Sequence, residues 1–181
     1  MLISPQQSLL LVIDIQDKLV PAVVEPQQLI EKTRWLLEVA QILEVPVLAS
    51  EQYPQGLGHT VAELNELIPS DRVVDKLHFS CAAEPACLDR IAAEQRKQIV
   101  ICGMEAHVCV FQSAVGLHQA GYDVFVIGDL ISSRSASDHQ LALERMRQLG
   151  IQVVSREMVA FEWMQKSGTD SFRTISKNYL R

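Results

Sequence analysis

Three side chains of complementary chemistry stand where apolar runs end. Asp14 closes SLLLVID, Lys76 closes RVVDK, and Cys109 follows QIVIC and the turn GMEAHV. Together a carboxylate, an ammonium and a thiol point to nucleophilic catalysis. The thiolate is the reactive form, and a free thiol titrates at about pH 8.5. A helix N-terminus stabilises a thiolate through its partial positive charge, and a nearby ammonium does the same. Asp14 can take the thiol proton and return it to a leaving group. Backbone N–H groups in the turn before Cys109 can hold a developing oxyanion. Each residue also has a plainer reading. Cys109, between Val108 and Val110, suits a small core position. Asp14 suits an N-cap, and Lys76 a solvated strand end or an ion-pair partner of Asp14.

The elements that must position them are legible as a pattern. Six short runs rich in Val, Ile and Leu occupy residues 8–14, 46–50, 72–76, 98–102, 123–128 and 151–154. They are continuous rather than alternating, as in parallel strands buried on both faces. Between them lie segments with helical spacing at 26–43, 60–67, 84–94, 109–120 and 137–149, with Gly121 and Gly150 at C-cap positions. Thr60 and Glu63 have the spacing of a capping box. The alternation predicts an α/β fold, a three-layer α/β/α domain with right-handed crossovers. Open parallel sheets bind ligands beyond the carboxyl ends of their strands, and Asp14, Lys76 and Cys109 arrive on that rim.

With 181 residues the chain suits one domain over 1–181 with a sizeable core. Its net charge of −6 argues against nucleic acid or an anionic membrane as partner. The apolar run at 8–13 is too short to span a bilayer, lacks a basic flank and leads into Asp14 and Asp17, so a cytoplasmic protein is expected. The four cysteines, Cys81, Cys87, Cys102 and Cys109, include no C-x-x-C pair and are expected as free thiols.

The three motifs LLLVIDIQDKL, VVDKLHFS and ICGMEAHVCV, in that order, resemble the signatures of the isochorismatase-like cysteine hydrolases over roughly residues 8–161. The stretch SEQYPQGLGHT at 50–60 resembles the isochorismatase-domain-containing branch, some of whose members have been labelled ribonucleases. The acidic charge lends that label no support here. By this resemblance Cys109 is the nucleophile, Asp14 the general base, and Lys76 the residue that helps ionise the thiol. It further implies a six-stranded parallel sheet of order 3-2-1-4-5-6. It also implies a non-proline cis peptide between Met104 and Glu105, aiming the N–H groups of Glu105 and Cys109 at one point as an oxyanion hole. The expected reaction is hydrolysis of an amide or related C–N bond of a small molecule through a thioester.

Nicotinamidases of the same superfamily carry an Asp and several His after strand 2 that bind a metal. Here Glu51, Gln52 and Tyr53 occupy that place, with only His59 nearby, so neither a metal nor another cofactor is expected. Isochorismatases of siderophore synthesis lack the cysteine nucleophile that Cys109 would supply. Gly56-Leu57-Gly58 lacks the third glycine of a phosphate loop and reads as a turn over the pocket. Gln16, Tyr53, Phe79 and Phe111 are candidate pocket residues, the aromatics equally candidates for the core. His107 raises the question of a Cys–His dyad.

Two other function classes remain open on sequence: a binding protein that keeps the fold with a silent triad, and a redox sensor in which Cys102 would resolve an oxidised Cys109. Met158–Met164 (MVAFEWM) holds more apolar residues than one helix face needs. Phe161, Trp163 and Met164 thus suggest either core or the interface of a homo-oligomer, a dimer or larger.

Overall fold

The computed structural model describes residues 1–180. Six strands form one parallel sheet in the order β3-β2-β1-β4-β5-β6. They are β1 (Ser8–Ile13), β2 (Val47–Gln52), β3 (Val73–Lys76), β4 (Gln98–Met104), β5 (Asp123–Ser132) and β6 (Gln152–Val154).

The continuous apolar character of β1 and β4 has a direct structural cause. Successive strand residues point to opposite faces, and both faces are covered. Leu9, Leu11 and Ile13 of β1 and Ile99 and Ile101 of β4 enter one core. Leu10 and Val12, with Val100, Cys102 and Met104, enter the other. The first core is closed by α4 (Pro85–Ala93), α5 (Phe111–Gln119) and α6 (Ala136–Gln148). The second is closed by α1 (Pro26–Ile42), α7 (Arg156–Met164) and α8 (Asp170–Tyr179). Two short helices, α2 (Pro54–Leu57) and α3 (Ala62–Asn65), lie between β2 and β3.

The structure corrects some sequence expectations and resolves others. Strand β2 runs on to Gln52, two residues past its apolar run. The polar segment that follows Gly168 forms α8, which docks Ile175 against the core, while Tyr179 sits edge-on to Trp35 and its carbonyl accepts from the Trp35 indole N–H at 2.8 Å. The capping box does not form. Thr60 instead donates its hydroxyl, at 2.8 Å, and its backbone N–H, at 2.6 Å, to the buried Glu51 carboxylate. A buried carboxylate needs donors more than a four-residue helix needs a cap. In α7, Trp163 and Met164 belong to the core, and the Trp163 indole donates to Ser8 Oγ at 2.9 Å; Phe161 and Met158 face outward. Among the described residues no helix is long and apolar enough to cross a membrane.

At the centre of the sheet, β4 approaches β1 so closely that a side chain on Gly103 would collide with the Ile13 carbonyl. Gly103 also has φ +138°, which other residues rarely adopt. This approach brings the end of β4, and the turn after it, beside the end of β1.

Candidate active site

The site is built where β1, β2, β3 and β4 end. Asp14 follows β1 in a left-handed conformation (φ 55°) that turns its side chain away from the strand's course. Its carboxylate is buried. Oδ1 accepts from Ser50 Oγ at 2.7 Å, and Oδ2 accepts from Lys76 Nζ at 2.8 Å. The Cys109 thiol lies near this carboxyl, and each shifts the other's pKa.

Lys76 ends β3, and its ammonium is fully enclosed. Besides Asp14, it donates to Gln52 Oε1 at 2.6 Å, Phe79 O at 3.1 Å and His78 O at 3.3 Å. Burial opposes its charge. The charge of Asp14 and the hydrogen bond to it outweigh that effect, so its pKa is raised and it remains protonated. Asp14 is also raised, because burial outweighs the pull of Lys76 and the hydrogen bonds from Lys76, Ser50 and Cys109. An ion pair ordinarily lowers its carboxylate. Here the near-complete loss of hydration wins, leaving a carboxylate with more appetite for a proton than usual.

Cys109 lies inside the turn that opens the helix rather than at its first residue. Residues Ala106–Val110 form one π-helical turn that continues into α5, and Glu105 enters it in a left-handed conformation (φ 57°, ψ 65°). The bond between Met104 and Glu105 is trans, as are the other described peptide bonds, which corrects the expected cis bond. Glu105 reverses the chain through its own dihedrals, so no cis bond is needed to begin the turn. The Cys109 thiol has its pKa raised, first by burial and then by the Asp14 charge, with Lys76 opposing. The resting group is therefore a thiol. Lys76 pulls the thiol's pKa down, but burial and the Asp14 charge outweigh that pull.

The remaining candidates separate. Gln16 is buried and spends its amide on the main chain, donating to Gln52 O (3.0 Å) and Gly58 O (2.7 Å) and accepting from Gln52 N (2.7 Å). Phe111 packs in the core beneath the Arg145 guanidinium, 4.2 Å from the ring centroid. Tyr53 and Phe79 are about half exposed at the rim. His107 does not partner Cys109: its Nδ1 meets Ser133 Oγ at 3.0 Å and lies 3.4 Å from Glu105 Oε2. Glu105 also pairs with Arg134 at 2.8 Å, which ties the turn to the segment before α6. Cys102 sits in the core on the opposite face of the sheet from Cys109, so it cannot serve as the resolving thiol; the cysteine near Cys109 is Cys81. Gly58 donates its N–H to Pro54 O rather than to an anion. Among the described residues no three His, Cys, Asp or Glu side chains come together as a metal site, and Glu51 is engaged by Thr60 and His59.

A surface cavity of about 200 Å³ at the same rim is lined by Pro54, Gln55, Asp75, Lys76, Leu77 and Glu84. A second of about 200 Å³, between α1 and the start of α6, contains none of Asp14, Lys76 and Cys109. Sequence reasoning missed Ser50 and the role of Gln52. Ser50 closes the second apolar run, so its place at a strand end was visible in the sequence, whereas Gln52 lies two residues past that run in the longer β2.

The isochorismatase domain model matches residues 8–158. "Isochorismatase family protein 1A" of Dictyostelium discoideum is 34% identical over 177 residues, 96% of this chain and 86% of that protein. A solved structure described as the MAR1 ribonuclease from Caenorhabditis elegans is 33% identical, with a TM-score of 0.92, and covers 100% of this chain and 93% of its own. The YcaC gene product of Escherichia coli, described as an octameric hydrolase of unknown specificity, shares the fold: TM-score 0.92 at 22% identity, over 99% of this chain and 91% of that one.

Proposed function

The chain belongs to the isochorismatase family, and from that premise we propose that it is a cysteine hydrolase cleaving an amide or related C–N bond of a small molecule. The observation that carries the reading is the buried arrangement of Asp14 between Lys76 and Cys109.

In this reading the thiol stays protonated until substrate arrives. Cys109 Sγ attacks the carbonyl carbon as Asp14 accepts the thiol proton. The carbonyl oxygen becomes an oxyanion facing the N–H groups of Glu105 and Cys109 at the head of the helix, where unpaired donors and the helix dipole favour negative charge. Lys76 stays charged and offsets the new anion. The tetrahedral intermediate collapses, its C–N bond breaks, and Asp14 delivers the proton to the departing nitrogen. Water then attacks the thioester, with Asp14 taking its proton, and releases the acid and the thiol.

The half-exposed rings of Tyr53 and Phe79 are the proposed walls of the substrate mouth. We also propose a homo-oligomer. The octameric assembly reported for the Escherichia coli protein supports this, as do the exposed apolar residues Leu77, Met158 and Phe161.

The test is a screen of small amides, ureas and carbamates with the wild type and Cys109→Ala, with intact-mass detection of acylated protein after rapid quench. Turnover lost in Cys109→Ala and a mass adduct on Cys109 are expected. Turnover that persists in the variant would sink the mechanism. A Cys109 indifferent to Asp14→Asn and Lys76→Met would favour a binding protein that merely keeps the fold.

A further inference from the structure

We infer that Gln52 is a positioning residue for the Asp14–Lys76–Cys109 site: its neutral amide oxygen holds the Lys76 ammonium in place without cancelling its charge. The inference rests on the triad reading above.

The case begins with strand register. β2 and β3 are parallel, and Gln52 is the direct register partner of Lys76, as Glu51 is of Asp75. Alternation along β2 sends the Glu51 carboxylate to Thr60 and His59, and the Gln52 amide to Lys76. The acid and the amide are neighbours, yet the neutral one meets the ammonium.

The orientation of the Gln52 amide is settled by its partners. Oε1 lies 2.6 Å from Lys76 Nζ, which can only donate, and Nε2 lies 2.8 Å from Leu77 O, which can only accept. A flipped amide would oppose donor to donor and acceptor to acceptor. The backbone of Gln52 is fixed too, because Gln16 accepts from its N–H and donates to its carbonyl. A buried Gln in the turn after β1 thus sets Gln52, and Gln52 sets Lys76.

A neutral acceptor matters because the charge on Asp14 changes during the proposed reaction. While Asp14 is ionised, it balances Lys76. Once Asp14 takes the thiol proton, the ammonium loses its carboxylate partner inside a dry site, where an unpaired charge is costly. Three neutral oxygens then remain around it: Gln52 Oε1, Phe79 O and His78 O. They keep the cation solvated while its field falls on the sulfur and on the forming oxyanion. A carboxylate at position 52 would neutralise Lys76 throughout and add a negative charge beside the thiolate. The titratable groups that interact with Lys76 include Asp14, Cys109, Cys81 and Cys87, and none of them fills the place of Gln52.

The experiment measures the rate of Cys109 alkylation by iodoacetamide against pH, with the modified peptide identified by mass spectrometry. It compares the full-length wild type with Gln52→Glu, Gln52→Met, Asp14→Asn and Lys76→Met. Thermal unfolding checks that each variant is folded. Gln52→Glu is expected to raise the apparent pKa of Cys109 by about one unit, which is about tenfold slower labelling at a pH below both values. Gln52→Met, close in size but without the acceptor, is expected to move it the same way by about threefold. Should Gln52→Glu fail to fold, the Gln52→Met profile alone decides. Labelling profiles of the Gln52 variants matching the wild type, while Asp14→Asn and Lys76→Met shift theirs, would overturn this inference and leave the triad standing. Profiles unmoved in all four variants would overturn the triad and this inference with it.

Discussion

The Asp14 carboxylate and the Lys76 ammonium meet at 2.8 Å with side chains 1% and 0% exposed, so neither charge has any recourse to water. Removing one partner leaves the other buried and unpaired, which typically costs about 3–5 kcal/mol. Lys76→Met is therefore expected to lose stability on that scale in denaturant unfolding. Asp14→Asn combined with Lys76→Met is expected to lose less than the sum of the two single changes.

The raised pKa of Asp14 sets the direction of a pH profile. The base works only when ionised, so activity is present above its pKa and is lost as pH falls through it. Because burial raises that pKa, the acid limb of kcat/KM should lie above the ordinary carboxylate range rather than within it. Steady-state rates across the acidic range check this. Asp14→Asn should remove the limb together with nearly all turnover.

Ser50 tunes the same carboxylate by donating to Oδ1 at 2.7 Å. That hydrogen bond lowers the Asp14 pKa. Ser50→Ala is expected to raise it further, moving the acid limb to higher pH. The variant also leaves a buried acceptor short of a donor, a loss of about 1–3 kcal/mol measurable by unfolding.

Gly103 has neither the space nor the backbone conformation for a side chain. Gly103→Ala must push β4 away from the Ile13 carbonyl, separating the Cys109 turn from Asp14. A stability loss of about 3 kcal/mol or more is expected, with Cys109 labelling that no longer responds to Asp14→Asn.

Trp35 anchors the last helix through the indole hydrogen bond to Tyr179 O and the edge-on ring contact at 6.4 Å. Trp35→Ala should release α8. Hydrogen exchange should then accelerate across Asp170–Tyr179 while the strands that carry the site keep their protection.

Much of the architecture is written locally. β1 and β4 are apolar at every position but the first, or nearly so, and only a strand covered on both faces accommodates that pattern. Helices α1, α4, α5 and α6 carry their periodicity in plain view, and α5 and α6 their terminal glycines, Gly121 and Gly150. Asp14, Lys76 and Cys109 could be proposed together because two close apolar runs and the third follows the turn after another, and such ends gather on one rim of a parallel sheet. The polar composition after Gly168 leaves open what that segment packs against; its one buried contact face is anchored by Ile175, and its partner Trp35 lies far away in sequence.

What the sequence by itself determined is therefore the sheet, its layers and the convergence of three reactive groups, all consequences of periodicity and strand direction. What only the tertiary structure decided is how those groups treat one another. Register, not composition, sets Gln52 against Lys76. The left-handed Glu105, not a cis bond, opens the Cys109 turn. Burial first, and then the Asp14 charge, raise the Cys109 thiol's pKa against the pull of Lys76. Protonation in a dry site depends on distances of a few ångströms between residues many positions apart, and no local pattern encodes those distances.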